Sequence, residues 1–224
     1  MLNYEVEASL LLPFVPSGTE LDYWNRKIFV SLVGFRFLKT RVLGLTIPFH
    51  ANFDEVNLRF YVRRRQGSEV RRGVVFIREI VPRRMIAFVA RTFYHENYVA
   101  LPMAHEIRSV GNSGLTVAYR WQSGDAWNAI RLEVQGDPEF VQENSEEQFI
   151  TEHYWGYATQ PDGGCVEYRV THPAWSVWTA RCAEFEGDVK GLYGGDMAAV
   201  LRRPPASVFL AEGSEVTVMR GRRL

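Results

Sequence analysis

Apolar and polar residues alternate along most of this chain with a period of two. In residues 55–62 every second residue is apolar, namely Val56, Leu58, Phe60 and Val62. Residues 115–121 and 127–135 repeat the pattern on either side of 123–126, a stretch typical of a tight turn. Alternation of this kind predicts half-buried strands, and the second example predicts a β-hairpin.

The same pattern predicts two more hairpins. One joins residues 165–171 to 176–185 and would place Cys165 and Cys182 on neighbouring strands, and the other joins 207–211 to 215–220. Residues 28–37 are apolar on both alternating faces, which predicts a central strand covered on both sides. We therefore expect a mainly β (α+β) fold in one domain over residues 1–224: a curled antiparallel sheet or a partly closed β-barrel that limits free edges.

Few helices are expected. Pro82 is acceptable in a first helical turn, and the residues that follow it place an apolar stripe on one face up to Phe93, although a strand is an alternative there. Ser145 and Gln148 have the spacing of a capping box at a helix start. Shorter helices are expected near residues 7–12 and 196–202.

The composition is that of a globular protein, with 224 residues, 26 basic and 26 acidic side chains and 46% hydrophobic residues. The longest apolar runs fall far short of the roughly 18 residues of a membrane span, so no membrane partner is predicted. Two cysteines without CxxC spacing, and a start without the pattern of a signal peptide, predict a cytoplasmic protein.

Charge is distributed unevenly. Arginines are concentrated between residues 59 and 91, whereas residues 133–167 contain acids and no Lys or Arg. The basic segment is compatible with phosphate binding, but no nucleic-acid motif accompanies it. We favour the interpretation that the two segments face each other in the fold, and predict no nucleic-acid partner.

Established cofactor and catalytic motifs are missing from the sequence. There is no GxGxxG, P-loop, GxSxG or HExxH, and the five histidines lack metal-ligand spacing. We therefore predict no cofactor and no metal. Aromatic residues between 154 and 178 are compatible with a stacking surface, but core packing is the more common role of such residues.

The strand near residue 55 carries the first candidate site. Glu55, Asn57, Arg59 and Tyr61 share its polar face. If that face points outward they are solvated surface residues, and if the sheet curls around it they form a ligand-binding set.

Residues 91–98 are the second candidate. Arg91 could hold a carboxylate through a bidentate pair. Tyr94 or Tyr98 could donate a hydrogen bond to a carbonyl oxygen, and Glu55 or Glu96 could transfer a proton. The alternative is a tyrosine-rich connection whose hydroxyl groups satisfy the backbone.

Several longer strings carry a resemblance: NYEV at 3–6, VSLVGF at 30–35, IPFH at 47–50, EVNLRFYV at 55–62, RGVVF at 72–76 and ITEHYWGY at 150–157. Over essentially its whole length the chain resembles the YqjF-like family of bacterial proteins of unknown function. The resemblance implies an acetoacetate decarboxylase-like fold, with a curled sheet around a pocket.

In that family register Glu55 matches a pocket glutamate and Ala90-Arg91 a Gly-Arg pair. The decarboxylase forms a Schiff base through one of two adjacent lysines, and Tyr98-Val99 occupy the place of that pair. The chain has only Lys27, Lys39 and Lys190. The resemblance thus implies a pocket without Schiff-base chemistry.

Two hypotheses of function follow. The first is a domain that binds a small anionic or carbonyl metabolite, with the ligand-binding residues Glu55, Asn57, Arg59, Arg91, Tyr94 and Tyr98. The second is an enzyme on such a compound, in which Glu55 acts as acid or base, Arg91 anchors a carboxylate and Tyr98 polarises a carbonyl group. A third alternative is an interaction protein with a vestigial pocket. The sequence leaves open whether the chain forms a homo-oligomer.

Overall fold

The computed structural model describes residues 1–38, 52–83, 97–111 and 113–224. These residues form sixteen strands and a few short helices. The strands are β1 (Leu2–Glu5), β2 (Glu20–Leu21), β3 (Phe29–Phe37), β4 (Phe53–Gln66), β5 (Glu69–Val81), β6 (Tyr98–Ala100), β7 (Met103–Val110), β8 (Gly114–Ser123), β9 (Ala126–Gln135), β10 (Glu139–Phe140), β11 (Trp155–Thr159), β12 (Cys165–Thr171), β13 (Ser176–Glu186), β14 (Ser207–Ala211), β15 (Thr217–Val218) and β16 (Arg222–Arg223). The helices are α1 (Ala8–Leu11), a 3-10 turn (Leu12–Phe14), α2 (Glu146–Thr151) and α3 (Lys190–Leu201).

The strands form one mixed sheet that does not close. Its order is β15-β12-β11-β5-β4-β3-β1-β14-β13-β9-β8-β7, with β2, β6, β10 and β16 paired to β4, β5, β13 and β12. Strand β5 runs parallel to β6 and β11, and the other pairs are antiparallel. The predicted mainly β fold of a curled sheet with few short helices is therefore confirmed, and the two parallel pairs are an addition to it.

The curl brings distant strands into contact at Gly34 of β3. A Cβ atom built there would lie 2.7 Å from side-chain atoms of both Tyr119 in β8 and Ile130 in β9. Carbon atoms do not approach that closely without repulsion, so only glycine permits this packing. The absence of a side chain at residue 34 thus lets the two halves of the sheet share a core.

Strand β4 is buried on both faces. Its even-numbered residues, among them Leu58 and Phe60, pack in the main core with Trp121 of β8. Its odd-numbered Tyr61 packs in a second cluster with Phe149 and Ile150 of α2. Helix α2 therefore covers the part of the polar face that carries Arg59 and Tyr61.

The hairpin predicted over residues 115–135 is confirmed, since β8 and β9 pair in register from Gly114 to Ser123. The central position of residues 28–37 is also confirmed, because β3 lies between β1 and β4.

The other two predicted hairpins are wrong. Strand β12 pairs with β11, β15 and β16, whereas β13 pairs with β9, β10 and β14. Strand β14 pairs with β1 and β13, and β15 pairs with β12. Cys165 and Cys182 therefore do not lie on neighbouring strands. Alternation identified these strands correctly but not their partners, since β12 pairs with the preceding strand β11 and β13 pairs with β9.

The helix predictions are confirmed in part. Ser145 caps α2, accepting a hydrogen bond of 3.1 Å from the backbone N–H of Gln148. Helix α1 lies within the predicted residues 7–12. Helix α3 begins earlier than expected, at Lys190, and is interrupted at Gly194, where φ is 83°. The predicted helix after Pro82 lies outside the described residues.

The arginines of the β4–β5 hairpin are paired with acids. Glu167, whose side chain is 1% exposed, contacts Arg64 at 3.2 Å, Arg71 at 2.7 Å and Arg222 at 3.1 Å. Arg63 and Arg65 contact Glu20. Because Glu167 belongs to the acidic segment, these contacts support the interpretation that the basic and acidic segments face each other. No helix in the described part of the chain has the length and apolar character needed to cross a membrane.

Candidate ligand-binding site

A buried carboxylate lies at the centre of the candidate site. Glu55 of β4 is 1% exposed. Its Oε1 accepts a hydrogen bond of 3.0 Å from Nδ2 of Asn57, and its Oε2 accepts one of 3.1 Å from the hydroxyl of Tyr98. Each carboxyl oxygen of Glu55 therefore has a neutral hydrogen-bond donor.

The strand geometry brings these three side chains together. Glu55 and Asn57 are two residues apart on β4 and so project to the same face. Tyr98 comes from β6, which pairs with β5 so that Tyr98 lies opposite Glu79. Strand β5 lies between β4 and β6, and the Tyr98 side chain reaches across it to Glu55.

A β-bulge in β5 helps to position Tyr98. Leu58 pairs with Arg78 and Arg59 pairs with Phe76, which leaves Ile77 as the extra residue of β5. The backbone carbonyl of Ile77 accepts a 2.8 Å hydrogen bond from the side chain of Asn97. The bulge thus anchors the residue that immediately precedes Tyr98.

Burial raises the pKa of Glu55 from 4.5 to about 7. Hydrogen bonds from Asn57 and Tyr98 and the positive charge of Arg59 favour the ionised form and offset part of this effect. Near neutral pH the carboxyl group is therefore present in both its protonated and its ionised form. A group of this kind can either donate or accept a proton in contact with a ligand.

A second carboxylate, Glu79, was not identified from the sequence as a site residue. It is 2% exposed and lies opposite Asn57 in β4 and Tyr98 in β6. The signal that could have revealed it is an acid within the largely apolar run 74–81. A charged residue in such a run either has a dedicated partner or has a function.

Arg59 lies next to the site but points toward α2. Its Nη2 donates a hydrogen bond of 3.3 Å to the backbone carbonyl of Ile150, and its guanidinium lies 5.8 Å from the ring centroid of Tyr61. It acts on Glu55 through its charge. Of the six predicted ligand-binding residues, the structure brings Glu55, Asn57 and Tyr98 into contact, with Arg59 nearby. Arg91 and Tyr94, like Glu96, lie outside the described residues.

Several other polar groups on this face of the sheet form hydrogen bonds with one another. The Oγ of Ser31 is 2.7 Å from both Asn3 Oδ1 and the hydroxyl of Tyr61. Asn3 in turn donates a 3.0 Å hydrogen bond to Ser207. These neutral side chains link strands β1, β3, β4 and β14 by hydrogen bonds next to the second hydrophobic cluster.

Asp22 and His153 form another buried pair on this face. The carboxylate of Asp22 is 3.3 Å from His153 Nε2 and accepts a 2.6 Å hydrogen bond from Arg72. Burial, aided by the charges of Arg72 and Arg59, lowers the pKa of His153 to about 4, although Asp22 opposes this shift. His153 is therefore neutral near pH 7, and its Nε2 donates to Asp22. This pair was not anticipated from the sequence.

Two clefts lie elsewhere on the described part of the molecule. One, of about 510 Å³, is bordered by β1, β13 and the segment after α3, and the other, of about 260 Å³, by β8 and β9. Neither includes Glu55, Asn57 or Tyr98 among its lining residues. The described residues thus show a buried polar face, and the enclosed hollow expected beside Glu55 remains a prediction.

The described lysines lie on the surface. Lys27 has a side chain 45% exposed and pairs with Glu5 at 3.0 Å, and Lys190 is exposed at the start of α3. Lys39 lies outside the described residues. Neither described lysine is therefore part of the Glu55 cluster.

The fold is that of acetoacetate decarboxylase-like proteins. Acetoacetate decarboxylase from Legionella pneumophila is 12% identical, and the match covers 100% of this chain and 82% of that one with a TM-score of 0.64. The enduracididine biosynthesis enzyme MppR, in a complex with pyruvate, is 16% identical, with coverage of 99% and 86% and a TM-score of 0.67.

The chain belongs to the family DUF2071, described as an uncharacterized conserved protein, whose model matches residues 1–215. The uncharacterized protein YqjF of Bacillus subtilis is 28% identical over 185 residues, which make up 82% of this chain and 72% of that protein. The resemblance stated from the sequence motifs is therefore confirmed.

The pKa of Glu55 predicts a specific dependence of stability on pH. Because folding raises this pKa, the protonated carboxyl contributes stability that is complete below pH 4.5 and is lost as the pH rises through about 7. The contribution amounts to about 3 kcal/mol. We expect Glu55→Gln to lack this loss, so that its free energy of unfolding in urea falls less than that of the wild type between about pH 5 and about pH 8.

Glu184→Gln is the matched control, because the Glu184 side chain is 54% exposed. The Asp22–His153 pair is common to all three proteins, so its own titration cancels in the comparison. An identical pH slope in the wild type and Glu55→Gln would show that Glu55 titrates as an ordinary surface carboxyl.

Proposed function

We propose that this protein binds a small carbonyl-containing metabolite, of the 2-oxo or 3-oxo acid class, without forming a covalent bond to it. The observation that carries the proposal is the cluster of buried Glu55 and Asn57 with half-buried Tyr98, in which a carboxyl group with a pKa of about 7 meets two neutral donors. A strongly shifted pKa and a few convergent polar groups are typical of ligand sites.

The near-neutral pKa removes an obstacle to binding an anion. An ionised glutamate would repel a ligand carboxylate, and the repulsion is strong where water is excluded. Protonating Glu55 near pH 7 requires little free energy, so the site can adopt the neutral form when the ligand enters. Protonated Glu55 and the Tyr98 hydroxyl then donate to the ligand carbonyl oxygen.

Arginines would supply the affinity for the ligand carboxylate. Arg59 contributes positive potential from the α2 side, and Arg91 is proposed to form a bidentate pair with the carboxylate. Tyr94 is proposed to line the same pocket. The roles of Arg91 and Tyr94 rest on their sequence positions and on the family register.

The fold neighbours support this ligand class. The MppR structure contains pyruvate, which is a 2-oxo acid, and the decarboxylase name implies a 3-oxo acid. Tyr98-Val99 replace the lysine pair in the family register, and a phenol cannot form an imine. We therefore propose that this chain binds the oxo acid but forms no imine with it.

Binding is tested with pyruvate and acetoacetate by thermal shift and isothermal calorimetry. We expect a saturating ligand to raise the melting temperature of the wild type. Tyr98→Phe should weaken binding about tenfold through the loss of one hydrogen bond, and Arg91→Ala should abolish the shift. Borohydride treatment with either acid should leave the protein mass unchanged.

Tyr23→Phe is the matched control, because Tyr23 is 47% exposed and should not affect affinity. Equal losses in Tyr23→Phe and Tyr98→Phe, or no melting shift with either acid, would contradict the proposed ligand class. A borohydride-dependent mass increase would contradict non-covalent binding.

A second candidate function is acid–base catalysis on the same class of compound. It is favoured by the pKa of Glu55, which matches that of an efficient general base at neutral pH. In this mechanism the Glu55 carboxylate removes a proton from the carbon next to the ligand carbonyl. Tyr98 stabilises the resulting enolate oxygen by its hydrogen bond, and return of the proton restores the starting compound.

Proton exchange separates catalysis from binding alone. If Glu55 is a base, the methyl signal of pyruvate should disappear in deuterated water at a rate that rises through about pH 7. Glu55→Gln should slow this exchange about a hundredfold or more, while Tyr23→Phe should not change it. Exchange no faster than in protein-free buffer would reject the enzyme hypothesis and leave the binding proposal standing.

A further inference from the structure

Strand β7 is a long and regular edge of the sheet. It pairs with β8 over eight consecutive residues, from Met103 opposite Trp121 to Val110 opposite Gly114, without a register shift. It is the last strand in the sheet order, and no described strand pairs with its other side. One row of its backbone N–H and C=O groups is thus available to another strand.

Several features that protect an edge strand are missing from β7. Natural edges are commonly blocked by proline, by charged side chains (lysine above all), by a bulge or by extreme shortness. Residues 103–110 contain neither proline nor lysine, and the ladder with β8 is regular; the charged residues Glu106 and Arg108 pair with each other within the strand. The opposite end of the sheet differs, because β15 and β16 there are only two residues long each.

Apolar side chains are exposed along this edge. Ile107 is 52% exposed and Val110 is 55% exposed. Ile107 lies opposite Val117, which is 5% exposed and belongs to the main core. Ile107 therefore lies on the core-facing side of the sheet but remains uncovered, because the sheet ends at β7.

The sequence of β7 is complementary to itself. A two-fold axis through Ile107, perpendicular to the sheet, would pair two copies of β7 as antiparallel neighbours and set Ile107 opposite Ile107 of the second copy. Glu106 would then lie opposite Arg108, once on each side of the axis. The outer pairs would be His105 with Ser109, and Ala104 with Val110. Both oppositely charged and apolar cross-strand pairs are stabilising.

Neighbouring registers lack this complementarity. An axis through Glu106 would place two carboxylates opposite each other, and an axis through Arg108 would place two guanidinium groups opposite each other. Like charges in directly opposite positions are destabilising. The pattern Glu106-Ile107-Arg108 therefore favours one register.

We propose that two copies of this chain associate through their β7 edges, with the two-fold axis at Ile107, to form a continuous sheet across the dimer. The contact is isologous, as in most homodimers, so each copy contributes the same surface. Each copy covers the exposed Ile107 of the other, and the free backbone groups of both edges are paired.

The first test exchanges the charges of Glu106 and Arg108. Dimerisation is measured by sedimentation velocity over a wide range of protein concentration. We expect the wild type to dimerise. Arg108→Glu alone and Glu106→Arg alone should each raise the dimer dissociation constant about tenfold, because each creates two like-charge pairs. The double variant Glu106→Arg/Arg108→Glu should restore the wild-type constant, since the two charges merely change places.

The same double variant controls for folding, because it contains both substitutions. A wild type that is monomeric at every concentration would overturn the proposal. It would also be overturned by a dimer that neither single variant weakens, or by a double variant that dissociates as readily as the single ones.

Cysteine cross-linking tests the register. In a Cys182→Ser background, Ile107→Cys should form an intermolecular disulfide under mild oxidation, since residues opposite each other at the axis lie about 5 Å apart. Val110→Cys is the control, because the two copies of residue 110 would be about 20 Å apart. Equal cross-linking of both variants, or none with Ile107→Cys, would contradict the proposed register.

Discussion

The structure depends on a central strand that is buried on both faces and is polar on one of them. Strand β4 places Leu58 and Phe60 in the main core, and Glu55, Asn57 and Tyr61 on the other face. A buried polar group without a partner is costly, so each group on that face needs a hydrogen bond. The Ser31–Tyr61–Asn3 network, the Asp22–His153 pair and the Glu55 cluster meet most of this requirement, although Asn57 Oδ1 and His153 Nδ1 have no hydrogen-bond partner among the described residues.

The buried carboxylates differ in the kind of partner that they have. Glu167 is surrounded by three arginines, and Asp22 by Arg72 and His153. The direct partners of Glu55 are the amide of Asn57 and the phenol of Tyr98, both neutral. Although burial opposes it, hydrogen bonds from His153 and Arg72 hold the pKa of Asp22 below its ordinary value, whereas the neutral donors offset only part of the effect of burial on Glu55. This difference explains why the pKa of Glu55 is raised and why this carboxyl is the candidate for ligand chemistry.

Local patterns in the sequence predicted most strands but not their partners. Period-two alternation identifies residues 165–171 and 176–186 as strands, yet the chain between them, which contains Pro173, leads from one part of the sheet to another. The partner of a strand is decided by the curl, and the curl depends on contacts such as that of Gly34 with Ile130, which are distant in sequence. The family resemblance predicted the curled fold. The alternation of apolar and polar residues could not predict which strands pair with each other.

The sequence predicted which side chains form the candidate site, but not whether they are buried. Glu55, Asn57 and Tyr98 were named because their side chains suit a carbonyl ligand, and strand parity placed the first two together. Whether that face was exposed could not be derived, since burial depends on contacts between distant segments, such as those of Arg59 and Tyr61 with α2. Glu79 was missed because its partners lie on two other strands, β4 and β6, and only the register of β5 with both of them reveals its position.

The most direct test of this account is the titration of the Glu55 carboxyl carbon by ¹³C NMR, with its signal assigned from the spectrum of Glu55→Gln. We predict an apparent pKa of about 7 for Glu55, while exposed glutamates titrate near their ordinary value of about 4.3. A Glu55 signal that titrates together with the exposed glutamates would mean that the carboxyl is solvated, and the interpretation of this face as a ligand-binding site would be contradicted.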